Sequence, residues 1–288
     1  MIKIFLPLMI TALLTLTCGK SYAQVNTKND DKTQHKPQRI VALAPHIVEL
    51  LFDIGAGQQI VGTVEYADQP TAALEIPRVG SYHGMQVEKL LALNPDLVIA
   101  WKSGNAQSDI DKMQRLGLNI VFSNPLNIDD VATELRYFGQ LTHHQKQAEK
   151  VALAYEQRLQ KLRSENSAKP SIAVFYQLWS EPMMTVNGTT WINQLIEVCQ
   201  GVNVFADNPT PYPKLSIENV IVAQPQLMIL PINNAGTPQA VIDWQKWPEI
   251  PAVENDKFIH VDADLLHRFT TRMLSGIDDM CKRIDQHR

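Results

Sequence analysis

From Arg39 onward the apolar residues alternate between short unbroken runs and stretches where they recur every third or fourth position. A short apolar run bounded by turn formers reads as a buried strand, and the wider spacing as one face of a helix. Residues 39–43 are then a strand, and 46–54 a helix closed by Gly55 and Gly57. Residues 97–101 form a second buried strand, 108–116 a helix ended by Gly117, 119–122 a strand and 129–141 a helix. Between 144 and 165 there is no Gly or Pro, and Ala148, Val151, Tyr155, Leu159 and Leu162 keep to one face. That pattern predicts one long amphipathic helix within a linking segment at 142–168. Lys169-Pro170 ends it and the alternation resumes, with strands at 172–178, 226–230 and 258–261 and helices at 191–198 and 271–284. Strands alternating with helices predict an α/β fold with mostly parallel sheets.

The two halves resemble each other. Val87 through Trp101 aligns without a gap to Ile217 through Pro231. Glu88 matches Glu218, Pro95 matches Pro225, Leu97 matches Leu227 and Ile99 matches Ile229. Each copy reads as helix, proline stop and buried strand. The expected architecture is two Rossmann-like α/β lobes, 39–141 and 169–288, joined by a single long rigid α-helix with a ligand cleft between them. A helical linker resists bending, so closure around a ligand should be modest.

The ends and the composition narrow the setting. Lys3, an apolar stretch at 4–16 and Ser21-Tyr22-Ala23 read as a secretory signal peptide cleaved after Ala23, followed by a polar, flexible leader at 24–38. The alternative is lipidation at Cys18, for which the preceding Thr15-Leu16-Thr17 is a poor match. Cleavage leaves Cys199 and Cys281, and an even count in an exported chain suggests a disulfide, the alternative being two buried thiols. A bridge across about 80 residues is worth about 4 kcal/mol in the chain-entropy account. Without Lys3 and Lys20 the chain keeps 24 Lys and Arg against 30 Asp and Glu, a net charge of −6. That balance argues against nucleic acid or an anionic membrane as partner.

No phosphate-binding glycine loop, nucleophile elbow or His-Glu-x-x-His helix is present, so nothing in the sequence asks for catalysis. What remains is a set of rings and polar groups where strands end. Ligands of open α/β sheets sit off the carboxyl ends of the strands. Tyr66, Tyr82, His83, Trp101, Tyr212 and the 264–268 stretch occupy such places, Tyr212 between Pro211 and Pro213. Several rings facing one cleft suit a large, flat, partly apolar ligand. Each ring taken alone is also explained by ordinary loop packing. Glu88 and Glu218 fall in first helical turns, where the helix dipole favours a carboxylate. Their equal register in both lobes also suits docking to arginines of a dimeric membrane partner.

At Gly84-Met85, Val87-Glu88, Asn94 through Trp101, Gly104-Asn105-Ala106, Leu195 through Cys199, Asn203-Val204-Phe205, Asp264, Arg268 and Arg272 the sequence resembles a known class. It is similar to the helix-linked periplasmic binding proteins that take siderophores, haem and cobalamin, and within them to the cobalamin-binding proteins of vitamin B12 ABC importers. The similarity runs from Arg39 to the end. It implies that Tyr66, Tyr82, Trp101, Met184 and Tyr212 line a corrin cleft, with Asp264 and Arg268 at the amide-rich rim. It further implies that Glu88 and Glu218 dock the permease subunits and that Cys199 pairs with Cys281. The protein would be a monomer that carries cobalamin as cargo, with no catalytic cofactor and no resident metal. Tyr82 and Tyr212 replace tryptophans of the family pattern, Met184 replaces a phenylalanine, and His83 and His267 stand where the pattern has no histidine. Either histidine is a solvated loop residue or a ligand to the metal of the cargo.

Three other readings stay open on sequence alone. Haem or a ferric siderophore could be the cargo, with Tyr66, Tyr82 or Tyr212 on the iron. A zinc hydrolase using His83, His260 and His267 lacks a compact ligand cluster. A zinc or manganese receptor would not need the rings.

Overall fold

The computed structural model of the chain describes residues 37–81, 83–232 and 241–288. The predicted signal with Cys18 and Ala23, the leader up to residue 36, and Tyr82 lie outside them.

The first half builds a six-stranded sheet in the order β4-β3-β2-β1-β5-β6. Its strands are β1 (Ile40–Ala42), β2 (Ile60–Val64), β3 (Arg78–Ser81), β4 (Gly84–Met85), β5 (Leu97–Trp101) and β6 (Ile120–Ser123). All pairs are parallel except β3 with β4. Helices α1 (Pro45–Asp53), α2 (Val87–Ala92), α3 (Gln107–Arg115) and α4 (Asp130–Thr142) connect and cover it. The second half builds a four-stranded parallel sheet from β7 (Ile172–Tyr176), β10 (Gly201–Asn203), β11 (Leu227–Ile232) and β12 (Phe258–Asp262), in the order β10-β7-β11-β12. Between the sheets runs α5 (Gln145–Asn166), the long helix the spacing predicts.

Alternation along the central strands explains the layering. Ile40 and Ala42 of β1, with Leu97 and Ile99 of β5, point into one core, while Val41, Val98 and Ala100 point into another. In the second sheet Val174, Leu227 and Ile229 join the first core, and Phe175 and Met228 enter a third with Trp244 and Val253. A sheet buried on both faces reads as an unbroken apolar run, which is how these strands look in the sequence. The shared core is continuous through the linking helix, whose Ala148, Ala152, Tyr155, Leu159 and Leu162 are buried between both halves. The Tyr155 hydroxyl donates to the Ile128 carbonyl at 2.7 Å, so the one polar atom of that stripe is paired.

The internal repeat holds at the level of backbone. α7 (Ile217–Ala223) starts at the position that aligns with the start of α2, and β11 starts at the position that aligns with the start of β5. Asn94 and Gln224, also equivalent in the repeat, end the two helices in the left-handed region, at φ 45° and 49°. Pro95 and Pro225 follow and prevent either helix from continuing. α6 (Trp191–Val198) and the closing α10 (Met273–Asp285) are joined by the Cys199–Cys281 disulfide, with Cα atoms 4.8 Å apart.

Several elements escape the hydrophobic pattern. β2, β3 and β10 are short and interrupted by Gly, Thr or Asn, and the hairpin of β8 (Trp179–Ser180) and β9 (Met183–Met184) is two residues a side. The one-turn helices α8 (Pro251–Glu254) and α9 (Ala263–Leu266) are too short to show a period.

Candidate ligand-binding cleft

In the first sheet the chain order reverses between β1 and β5, the place where open α/β sheets hold ligands. Asn105 clamps the two strand ends there. Its Oδ1 accepts from the Trp101 amide at 2.7 Å and its Nδ2 donates to the Leu43 carbonyl at 2.9 Å. Gly104 lies beneath the Trp101 ring, and a Cβ at 104 would meet that ring at 1.9 Å. Only glycine lets the indole lie this close to the backbone. A hollow of about 140 Å³ opens beside it, lined by Pro45, Glu65, Tyr66, Met85, Trp101 and Asn105. Ligand pockets commonly exceed about 300 Å³, so this hollow is one footprint and a bulky molecule would extend beyond it. Tyr66 is 52% exposed and holds φ at 64°, a conformation that non-glycine residues rarely adopt.

A chain of rings crosses from this hollow to the second sheet. His46 meets Trp101 edge-on at 5.3 Å between centroids and faces Phe269 at 6.4 Å. Phe269 lies 4.4 Å from Trp191, and Trp191 acts on the Tyr212 hydroxyl, opposing the rise that burial imposes on it. Trp101 and Tyr212, both expected at the site, are therefore the two ends of one aromatic floor. Met184 lies beside it on the β8–β9 hairpin, bridged to Lys214. The Trp101 indole N–H is buried and meets no acceptor among the described residues. His46 is itself buried, its Nε2 paired with the Ser123 hydroxyl at 3.0 Å. Loss of hydration lowers its pKa to about 3. The nearby Glu134 carboxyl accepts from the Asn124 amide at 3.2 Å and is raised by burial.

Beneath the floor the halves are tied by charge. Glu49 of α1 is 4% exposed and accepts from Arg268 Nη1 at 3.0 Å and from Arg272 Nε at 2.7 Å. Arg268 Nη1 also reaches Asp68 at 2.7 Å, and its Nη2 reaches Asp264 at 3.2 Å. Thr271 donates to Asp53 at 2.7 Å, and burial raises the Asp53 carboxyl. Asp264 is likewise raised by burial, against the pull of Arg268. Arg268 is thus surrounded by three carboxylates, and the sequence-based expectation of a rim contact did not include this load.

His267 is not the solvated loop residue weighed from the sequence. Its Nε2 pairs with the buried Tyr176 hydroxyl at 2.8 Å, and loss of hydration lowers its pKa to about 4. His83 is exposed in a turn. His260 is exposed on β12, and no group of three or more His, Cys, Asp or Glu among the described residues is placed to hold a metal ion. Glu88 and Glu218 are fully exposed in the first turns of α2 and α7. The Glu88 carboxyl is held low by its own backbone amide and by Lys112, 3.1 Å away. The Ser216 hydroxyl and its own amide do the same for Glu218.

The site residues missing from the sequence reading are His46, Glu49, Asp53, Asp68, Trp191 and Phe269. Glu49 carried a signal: a lone carboxylate in the apolar run from Ile47 to Leu51.

Comparison with known proteins gives the fold and the family. Vitamin B12-binding protein from Vibrio cholerae serotype O1 is 36% identical over 245 residues, covering 85% of this chain and 88% of the relative. The crystal structure of periplasmic vitamin B12 binding protein BtuF of Vibrio cholerae superposes with a TM-score of 0.77 at 35% identity, over 88% of this chain and 98% of that one. Periplasmic heme-binding protein RhuT from Roseiflexus sp. RS-1 shares the fold at 20% identity and a TM-score of 0.72, over 85% of this chain and 97% of its own. No helix among the described residues is long and apolar enough to cross a membrane. Residues 40–265 match the periplasmic binding protein family, and the chain belongs to it.

Proposed function

We propose that the chain is a periplasmic solute-binding protein that captures cobalamin between its two lobes and delivers it to a membrane ABC importer, performing no chemistry itself. The observation that carries the reading is the chain of rings from Trp101 to Tyr212, buried at His46 and Phe269, whose accessible ends on the two sheets offer stacking surface to a flat macrocycle. The likeness to vitamin B12-binding proteins over 85% of the chain supports corrinoid as the cargo. Tyr66 and Trp101 line one wall, to which the family resemblance alone assigns Tyr82. Met184 and Tyr212 line the other, and Asp264 with Arg268 borders the amide-rich rim. Glu88 and Glu218, exposed and held ionised at equivalent places in the repeat, are the docking contacts for the permease. The secreted form begins after Ala23 and acts as a monomer. Calorimetric titration of the mature protein with cyanocobalamin, repeated with haemin, tests the reading. One-to-one cobalamin binding that weakens in Trp101→Ala supports it; tight haemin binding with no cobalamin heat removes it and reassigns the cleft to haem.

A further inference from the structure

A small ribbon at the carboxyl end of β7 carries a charge that the site described above leaves unused. β8 and β9 pair Trp179 with Met184 and Ser180 with Met183. The segment 211–215 extends the ribbon. Leu215 donates to the Met183 carbonyl, Thr185 to that of Pro213 and Asn187 to that of Pro211. This register sets Lys214 opposite Met184, and Tyr212 opposite Val186, in the non-hydrogen-bonded positions where side chains approach most closely.

Alternation gives the ribbon two faces. One carries Met183 and Leu215, which pack into the core around Phe175 and Trp244. The other carries Trp179, Met184, Tyr212 and Lys214. Trp179 and Tyr212 are 40% and 45% exposed, and the Trp179 ring is fixed by donation of its indole N–H to the Glu181 carbonyl at 3.0 Å. Through Tyr212, Trp191 and Phe269 this face continues into the cleft floor.

Lys214 is exposed, and its ammonium makes no hydrogen bond or ion pair among the described residues. The cations at the base of the cleft are spent: Arg268 on Glu49, Asp68 and Asp264, and Arg272 on Glu49. We propose that Lys214 contacts the phosphodiester of cobalamin's nucleotide loop and so distinguishes complete cobalamins from corrinoids that lack the loop. This rests on cobalamin being the cargo. The amides of the corrin rim are neutral, and the phosphodiester is the fixed negative charge on that side of the molecule. A lysine ammonium is a compact charge suited to phosphate oxygens, and it adapts to a ligand that enters an open cleft. Against the net negative charge of the chain, the Lys214 ammonium beside Tyr212 also favours placement of the anionic loop on this face.

The test titrates the wild-type protein, Lys214→Gln and Lys214→Arg with cyanocobalamin and with dicyanocobinamide, which has the corrin ring and amides but no nucleotide loop. Lys214→Gln is expected to weaken cyanocobalamin by about fivefold at low salt, the upper range for an exposed ion pair, and to leave dicyanocobinamide unchanged. Lys214→Arg should retain the cyanocobalamin affinity, and the wild-type preference should shrink as salt is raised. An equal loss for both ligands, or no loss for either, overturns the assignment of Lys214 while leaving corrinoid binding in place. Failure of the wild type to bind either corrinoid overturns the cargo reading, and this assignment with it.

Discussion

At the scale of single residues, the cleft concentrates groups held away from their ordinary states. Tyr66 keeps a left-handed backbone with half its surface in solvent, so neither packing nor propensity accounts for it. Such a conformation costs a non-glycine residue about 1–2 kcal/mol. Tyr66→Gly should therefore raise unfolding stability in urea by about 0.5–1 kcal/mol while weakening cobalamin binding, and a variant that lost both would mark Tyr66 as structural. His46 gives the opposite kind of test. Its native pKa near 3 lies below the ordinary value of 6.5, so the unfolded chain binds the proton more readily. The stability it contributes is complete above pH 6.5 and is lost as pH falls from there toward 3. At pH 5 the loss is about 2 kcal/mol. The raised carboxyls of Glu134 and Asp53 act with the reverse sign, gaining stability as pH falls through their folded values. Comparing the wild type with His46→Leu by urea unfolding at pH 7 and pH 5 isolates the histidine, because both carboxyls remain in the variant. The variant should be spared that histidine-linked loss over the interval, and parallel losses in the two proteins would contradict the assignment.

At the scale of elements, the central strands and long helices were legible because burial on both sheet faces leaves unbroken apolar runs and α5 leaves a clean stripe. The repeat was legible for the same reason: Leu90 and Val220, both wholly buried, occupy equivalent helical positions before equivalent strands. Strands β2, β3 and β10 were not, since Gly62 and Thr63, Gly80 and Ser81, and Gly201 and Asn203 break their apolar runs. For the site, the rings at strand ends could be picked out, as the loops that carry them also carry the glycines and prolines that end strands. Glu49 and Arg268 lie 219 residues apart, and no local pattern announces such a pair. Packing between elements supplies a further test. Gly139 of α4 faces Ala148 of α5 so closely that a Cβ at 139 would lie 2.3 Å from the Ala148 Cβ. Arg136 bridges the same two helices to Glu149 and Glu156, and fixes their approach from the exposed side. Gly139→Ala must push the helices apart and should cost about 1–3 kcal/mol in denaturant unfolding. Adding Ala148→Gly should restore part of that loss; an additive double variant would place the strain elsewhere.

At the scale of the whole molecule, two constraints act on the same motion. The linking helix is buried along one stripe in a core that both halves share, so bending it would expose apolar surface on either side. The ion network of Glu49, Arg268, Arg272, Asp68 and Asp264 ties the halves, with the Glu49–Arg268 pair at its centre largely buried. Removing one partner of a buried ion pair costs about 3–5 kcal/mol, mostly because the other charge is stranded. Opening the cleft wide would do the same to Glu49 and Arg268 at once. A compact body of this length has a radius of gyration of about 18 Å. Small-angle scattering should find that cyanocobalamin changes it by less than roughly 1 Å, the range of preorganised complexes. Glu49→Ala removes the acceptor shared by Arg268 and Arg272 without touching the linking helix. If the network holds the lobes, this variant should show a larger radius without ligand than the wild type and a larger contraction on binding. If the helix alone sets the geometry, Glu49→Ala will lower the unfolding midpoint and leave both radii at the wild-type values.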